Sequence, residues 1–406
     1  SDWEIDCIEL GEIIPDYQLI IRNKKAELAK IPIDVLHKEH AESNIAYSEV
    51  EETEKRDKIN LKQIPLPKKL REVAWFLIKH PNIASKQCIF EQYDSTVGTA
   101  NMNSNFPTAA KIYNLKGTNK AMAIGVYNNS MLIDAYPEIG IKMGIANLAQ
   151  QMASSGASPK GISLSITSSR CCDTNTYSKL AKMLRGLDTI AKKYRLSYSI
   201  ENFEHEGQNE TKGHEKSLNA HLTMLGLIEN KNHQMTLSFK NKGNIIFLIG
   251  QSKDDFSNSE YLNTYLKIDK KYQPDFNLEM EYQTQIAMQE LISKNYICSA
   301  NNISKGGLFI SLVESAMVFG FGFDIITDTD IRTDAFLFAE SPGRMLVSIT
   351  PNKEDKFIDF MIKKEIPFLA LGHVTKGEMR VDDISFGFIE DAKTAYESSF
   401  KELINS

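Results

Sequence analysis

The sequence predicts an α+β protein with two mixed α/β domains in tandem. Helical and strand patterns alternate from about residue 82 to 230, and a second alternating block opens with the apolar run Ile245–Ile249. Between them, these blocks account for most of the chain. The third observation is the polar, glycine-containing stretch 299–308, which leads into the apolar run 309–321. Such a stretch is typical of a loop that enters a buried helix.

Composition limits the classes of function. The 406 residues are 42% hydrophobic and 25% charged, which is ordinary for a soluble globular protein with real cores. A net charge of −6 and scattered lysines predict no nucleic-acid partner. No apolar run approaches a membrane span, and the acidic start is unlike a signal peptide, so we predict a cytoplasmic protein with no membrane partner.

The five cysteines predict neither a metal site nor a disulfide framework. They stand at positions 7, 88, 171, 172 and 298, without any CxxC spacing. We therefore expect reduced, mostly buried thiols and no bound metal.

Residues 1–36 are predicted to be tail strands that end a preceding module. Residues 7–14 and 17–22 alternate apolar and polar side chains about the turn Pro15-Asp16. A lone hairpin is marginal in water, so it is expected to pack on another part of this chain or on another chain. Residues 37–80 are predicted to be a linker followed by a short helix at 70–79, which Pro81 stops.

The remaining chain divides into two predicted domains, 81–232 and 233–406. In the first, the patterns predict helices at 142–155 and 180–191 and strands at 162–166, 198–203 and 222–228. In the second, they predict helices at 278–294, 308–319 and 354–364 and strands at 245–249, 323–326, 345–349, 369–374 and 379–381.

The start of the helix after residue 303 is the first candidate binding site. Ser304 is the predicted N-cap, and the free N–H groups of Gly306 and Gly307 together with the cation Lys305 would favour an anion. The alternative is a buried helix whose glycines only allow close packing. On these residues alone, both interpretations stay open.

Several motifs together resemble the second half of phosphoribosylformylglycinamidine synthase. They occur in the family's order: 81–86, 92–94, 97–99, 155–159, Ser304 with Gly306-Gly307, 340–344 and 371–375. The resemblance covers about residues 80–400, and residues 1–36 are similar to the last strands of that enzyme's first half. The wider superfamily includes aminoimidazole ribonucleotide synthetase.

The resemblance implies an ATP-dependent ligase of purine biosynthesis. It implies ATP and Mg²⁺ as cofactors, a first domain that pairs with a like domain to form a barrel, and a second domain that covers a nucleotide groove. No glutamine-hydrolysing unit is visible in the sequence, so a glutaminase subunit is the expected source of ammonia.

The chain departs from the family where magnesium would be held. Carboxylate oxygens hold Mg²⁺ against the phosphates of ATP. At positions where the resemblance implies acidic residues, the chain has others: Thr108, Gly125, Asn147, Leu164, Asn302 and Lys305. These changes predict that Mg-ATP is no longer held there.

Other polar residues remain candidates for binding phosphate or nucleotide. Ser341 and Arg344 precede a strand, and Arg344 would pair with a phosphate or, alternatively, with Glu340. Asn202 and Asn209 follow strand 198–200, where the resemblance implies a polar loop near the active site. Their alternative is a solvated, charged surface loop. No catalytic residue is assigned.

Two hypotheses follow. The chain is one subunit of a split ligase, with a separate first half as its partner, or it is a catalytically silent structural or regulatory homologue that has lost Mg-ATP binding. In either case an unpaired sheet edge near residues 162–166 predicts a partner, of which a homodimer is the simplest. The alternative is that the hairpin at residues 5–22 or the linker at 38–70 covers this edge within one chain.

Overall fold

The computed structural model describes residues 8–37, 61–92, 101–102, 106–168, 174–205, 218–256, 258–268 and 272–405. The chain divides into two compact units, Ser1–Ser48 and Glu49–Ser406. The first contains β1 (Gln18–Asn23), antiparallel to β2 (Ala26–Pro32), and α1 (Ile33–His37). The hairpin turns at Lys24-Lys25, where Lys24 has a φ of 55°. The chain bends at Pro15-Asp16 as predicted, but the described residues 8–14 form no strand, so the hairpin predicted about this turn was wrong.

The second unit contains both helices and strands. Within the described ranges its helices are α2 (Leu70–Lys79), α3 (Gln87–Phe90), α4 (Ser130–Ala135), α5 (Pro137–Ser154), α6 (Thr174–Tyr194), α7 (Leu278–Ser293), α8 (Gly307–Met317), α9 (Thr333–Phe338), α10 (Glu354–Lys364) and α11 (Ile389–Asn405). Its strands there are β3 (Lys111–Asn114), β4 (Ala121–Asn128), β5 (Ser158–Ser168), β6 (Ser197–His205), β7 (Leu218–Ile228), β8 (Ile245–Ile249), β9 (Ser299–Asn302), β10 (Gly322–Ile325), β11 (Met345–Ile349), β12 (Phe368–Thr375), β13 (Glu378–Val381) and β14 (Ile384–Phe388). The predicted α+β class is confirmed.

One sheet of the described residues has the order β3-β4-β7-β5-β6. Ile162, Leu164 and Ile166 alternate on β5 and are buried in one core with Ile145 of α5 and Leu187 of α6. Strand β5 is not itself an edge, because it pairs with β6 on one side and β7 on the other. The edges are β3 and β6, so the edge expected near residues 162–166 is β6, the neighbour of β5.

The other sheet of the second unit has the order β14-β13-β10-β12-β8-β11-β9 in the described ranges. Strand β8 is buried on both faces. Ile246 and Leu248 join the core with α8, whereas Phe247 and Ile249 join the core with α7 and α10. Since side chains alternate across a strand, the continuous apolar run places a central strand between two helical layers. The loop from β9 into α8 lies at one end of this sandwich and carries the candidate site.

Candidate functional site

The helix after β9 begins at two glycines rather than at Ser304. Gly306 is the N-cap of α8 with a φ of 81°, and Ser304 makes no side-chain cap, so the N-cap prediction was wrong. A Cβ on Gly306 would lie 2.3 Å from Cγ1 of Ile310, and one on Gly307 would lie 2.7 Å from the carbonyl oxygen of Ala339. Close packing and a left-handed backbone therefore require both glycines.

A carboxyl group of the protein already occupies the start of α8. Oε1 of Glu340 accepts the N–H of Gly306 at 2.8 Å and the N–H of Glu260 at 2.9 Å. Burial raises the pKa of Glu340 to about 7, although both N–H groups oppose that rise. An external anion at Gly306 must therefore displace Glu340.

The neighbouring carboxylate, Glu260, contacts Lys305, Asn82 and His80. Nζ of Lys305 lies 3.3 Å from its Oε1, and Nδ2 of Asn82 donates to its Oε2 at 3.0 Å. Nδ1 of His80 lies 4.0 Å from Oε2, and burial lowers the pKa of this histidine despite the carboxylate. Lys305 thus already has an anionic partner.

Arg344 lies inside the protein and binds backbone. It is 1% exposed, and its guanidinium donates to the carbonyl oxygens of Phe336, at 3.0 Å, and of Ala339. It also donates to Oγ of Ser252 at 3.2 Å. Burial lowers the pKa of Arg344 to about 10. The sequence had predicted a phosphate or Glu340 as the partner of Arg344. Instead, Arg344 binds the backbone of the segment that leads to Glu340.

The other predicted residues lie apart from this loop or outside the described residues. Ser341 is buried, and its hydroxyl lies 3.5 Å from the carbonyl oxygen of Asp255. Asn202 lies within β6, paired in register with Ser165, and not in a loop after the strand. Asn209 falls outside the described residues.

Two cavities meet at Ser304. The inner cavity has a volume of about 290 Å³ and lies between the end of β4, helix α5 and the segments 303–305 and 340–343. Glu281 of α7 lines it and is 4% exposed; Nε2 of Gln150 donates to its Oε2. Burial raises the pKa of Glu281 to about 8. Sequence analysis missed Glu281, although its spacing with Gln285 and Met288 places a charge on the buried face of α7.

The outer cavity is larger, about 670 Å³, and has more lysines in its lining than the inner one. Lys86, Lys111 and Lys393 line it together with Glu91, Glu314 and Glu397. Burial raises the pKa of Glu314, a half-buried acid of this lining, which accepts hydrogen bonds from Tyr396 of α11 and from Asn301. This cavity suits an anionic ligand better than the inner one.

The six positions at which the resemblance implies acidic residues lie partly around the two cavities and partly in the core. Thr108 and Asn302 line the outer cavity, whereas Asn147 and Lys305 line the inner one. The other two are core positions: Leu164 is fully buried, and Gly125 leaves room for Met152, whose Cε would lie 2.8 Å from an added Cβ.

The described part of the chain places no group of three His, Cys, Asp or Glu side chains where they could hold a metal ion. Cys88 and Cys298 are free thiols and only half-buried, so the expectation of mostly buried thiols fails for these two. In the same part of the chain, no helix is long and apolar enough to cross a membrane.

The region that forms the seven-stranded sheet is similar to a known domain family. Residues 241–384 match the family model described as AIR synthase related protein, C-terminal domain. By fold, the chain is also similar to a solved HypE-HypF complex, with a TM-score of 0.54 at 12% identity over 73% of this chain and 95% of that one.

Over nearly its whole length the chain is similar in sequence to PurL proteins. It is 27% identical to phosphoribosylformylglycinamidine synthase subunit PurL of Caldanaerobacter subterraneus over 94% of this chain and 51% of that protein. For the same subunit of Leuconostoc mesenteroides, the identity is 28% over 97% and 53%. Thermotoga maritima PurL complexed with ATP has the same fold, with a TM-score of 0.60 at 13% identity over 81% of this chain and 53% of that one. The chain spans about half the length of the curated relatives it matches.

Proposed function

We propose that this chain acts in the ATP-dependent amidination step of purine biosynthesis as the second half of a PurL-like synthase, with a separate chain as the first half. The observation that supports the role in this step is the 27% identity to PurL over 94% of this chain. A glutaminase subunit would supply the ammonia. The domains 81–232 and 233–406 are the proposed structural halves of this subunit.

In this role the chain completes a pocket and does not hold Mg-ATP. Asn302 and Thr108 in the outer cavity offer neutral oxygens where a hard cation prefers carboxylates. The three lysines of that cavity, Lys86, Lys111 and Lys393, would pair with a phosphate-bearing ligand without a metal, although Glu91, Glu314 and Glu397 share the lining.

The loop 304–307 is the proposed phosphate contact. Ser304 lines both cavities, and the N–H of Gly306 becomes available if an anion replaces Glu340. Arg344 supports this loop indirectly, through the carbonyl oxygens of Phe336 and Ala339. Its guanidinium does not need to touch the ligand.

Growth without added purine tests the proposal. A bacterium that lacks its PurL gene should grow when this chain is expressed with the first-half chain from the same genome, and should not grow with either chain alone. If the genome contains no such open reading frame, or if the two chains do not bind each other, the proposal is wrong.

A second candidate is the catalytically silent homologue. It is favoured by the amides and the lysine at positions where the family has acids, among them Asn147 and Lys305 in the inner cavity. A pair of chains that bind each other without supporting growth would favour this second function.

A further inference from the structure

The hairpin of the first unit has the same build as the last hairpin of the seven-stranded sheet. Strands β1 and β2, like strands β13 and β14, are joined by two residues, of which the first has a positive φ: 55° at Lys24 and 48° at Asp382. A helix follows the second strand directly in both cases, α1 at Ile33 and α11 at Ile389. The order of elements and the turn are therefore repeated within the chain.

Both hairpins also carry a bulge at the same place. In each, the register shifts two residues before the end of the first strand, next to Ile21 of β1 and Met379 of β13. The shift leaves one residue of the second strand without a directly opposite partner, Leu28 in β2 and Phe386 in β14. A bulge is a specific local feature and not a property of all hairpins, so its recurrence marks β1–β2 as a second copy of β13–β14.

The residues at the bulge anchor β13–β14 in the core of its domain. Met379 and Phe386 are buried there, and the ring of Phe386 lies 5.2 Å from that of Phe309 in α8. Their counterparts Ile21 and Leu28 are 46% and 64% exposed. An isolated two-stranded hairpin is marginal in water, and this one has apolar anchors without a core to enter.

A strand belongs between residues 8–14 and β1. In the seven-stranded sheet, β10 lies between β12 and β13, antiparallel to the first and parallel to the second. The run Leu371-Gly372-His373-Val374 of β12 has its counterpart in Leu10-Gly11-Glu12-Ile13. Because β12 reaches β13 only through β10, residues 8–14 have no neighbour to pair with unless a strand like β10 is supplied. This explains why the strand that the sequence predicts there is not formed.

We propose that residues 8–32 complete the sheet of a partner domain of the seven-stranded type, one that lacks its own counterparts of β12, β13 and β14. A strand of the partner, the counterpart of β10, runs between residues 8–14 and β1 and is parallel to β1. A helix of the partner, the counterpart of α8, covers Ile21 and Leu28. Addition of strands to an open sheet edge is a general way in which chains associate.

Charge supports this placement of β1. Arg380 of β13 lies opposite Asp324 of β10, and its Nε is 3.7 Å from Oδ2 of that aspartate. Arg22, the residue after the bulge in β1, holds the position of Arg380 and is exposed. We therefore expect the partner strand to carry an acidic side chain opposite Arg22.

A second copy of this chain does not fit as the partner. Its β10 is flanked by β12 on one side and β13 on the other, so its seven-stranded sheet offers no open edge at that strand. The separate first-half chain is the source of the incomplete domain. The inference thus deepens the proposed function and rests on it for this source.

Hydrogen exchange of the full chain tests the proposal. The chain is tagged at its C terminus and isolated from its own cells with its bound partner, and the same chain made alone in another host is the reference. Amides of residues 8–14 and of β1 should exchange at least a hundredfold more slowly in the complex than in the chain alone. The partner's sequence should match the same domain family as residues 241–384.

Three variants of the hairpin sharpen the test. Ile21→Asp and Leu28→Asp should each weaken binding of the purified partner at least tenfold in calorimetry, because each would bury a charge in the partner's core. Ala26→Asp is the matched control, since it adds the same charge at the counterpart of Ile384, which stays exposed in the seven-stranded sheet. All three positions are exposed, so the melting temperature of the chain alone should not change.

Several results would overturn the inference. They are equal exchange of residues 8–14 in the complex and in the chain alone, equal binding by the wild type and by both Ile21→Asp and Leu28→Asp, and a partner of another fold or none. A partner of the expected fold that binds through the hairpin without supporting growth would leave the inference standing and count against the proposed function. Growth together with unchanged binding of Ile21→Asp and Leu28→Asp would do the opposite.

Discussion

Replacing Glu281 by Gln should change how the stability of the chain depends on pH. Glu281 is 4% exposed, and burial raises its pKa from 4.5 to about 8. Between these values the folded chain keeps a proton that the unfolded chain has released. The free energy of unfolding therefore falls by about 1.4 kcal/mol per pH unit as the pH rises. From pH 5.5 to pH 8 the wild type loses about 3 kcal/mol through this group, a loss that Gln cannot show.

Urea unfolding at several pH values between 5.5 and 8.5 measures this difference. The wild type and the control Glu290→Gln, in which the replaced glutamate of the same helix pairs with Lys364, should lose stability in parallel, whereas Glu281→Gln should lose about 3 kcal/mol less over the range. If the curves of all three proteins run parallel, Glu281 ionises in the folded chain much as in water. The account of its buried environment would then be wrong.

Four further outcomes are expected. Asp334→Ala should lower the free energy of unfolding in urea by about 3–5 kcal/mol, because this buried carboxylate accepts two hydrogen bonds from Arg332 and one from Tyr261. Tyr261→Phe removes only the last of these and should lower it by about 1 kcal/mol. Calorimetry should detect weak or no binding of Mg-ATP, and micromolar binding that requires Mg²⁺ would contradict this. Phosphate at tens of millimolar should raise the melting temperature more at pH 6 than at pH 8, because the Glu340 carboxyl is protonated at pH 6 and then holds the Gly306 N–H less strongly. No effect beyond that of sodium chloride would count against an anion site. Light scattering should show a dimer or larger species, and a mass near 45.8 kDa at every concentration would exclude it.

Secondary structure was predictable where apolar runs have sharp boundaries. The predicted bounds of Ile245–Ile249, Met345–Ile349 and Glu354–Lys364 agree with the structure to the residue. By contrast, no strand was assigned at β4, whose buried face carries Ala121, Ala123 and Gly125. Small side chains give a weak periodic signal even when they are buried.

The details of the site could not be predicted because they depend on contacts distant in sequence. Ser304 satisfies the local rule for an N-cap, yet the N–H of Gly306 is satisfied by Glu340, 34 residues away. Arg344 was expected to pair with a phosphate or with Glu340, yet its two terminal nitrogens donate to carbonyl oxygens that precede it in the chain. Local rules identified the right segment but not the partner of each group.

The two cavities that meet at Ser304 differ in how their charges are arranged. The outer cavity is lined by three lysines and three glutamates: Lys86, Lys111, Lys393, Glu91, Glu314 and Glu397. The inner cavity is lined by Glu281, Glu340 and Lys305, and this lysine is already paired with Glu260. An anion in the inner cavity would therefore face carboxyl groups without a free cation, so an anion that binds the loop 304–307 is better placed on the side of the outer cavity.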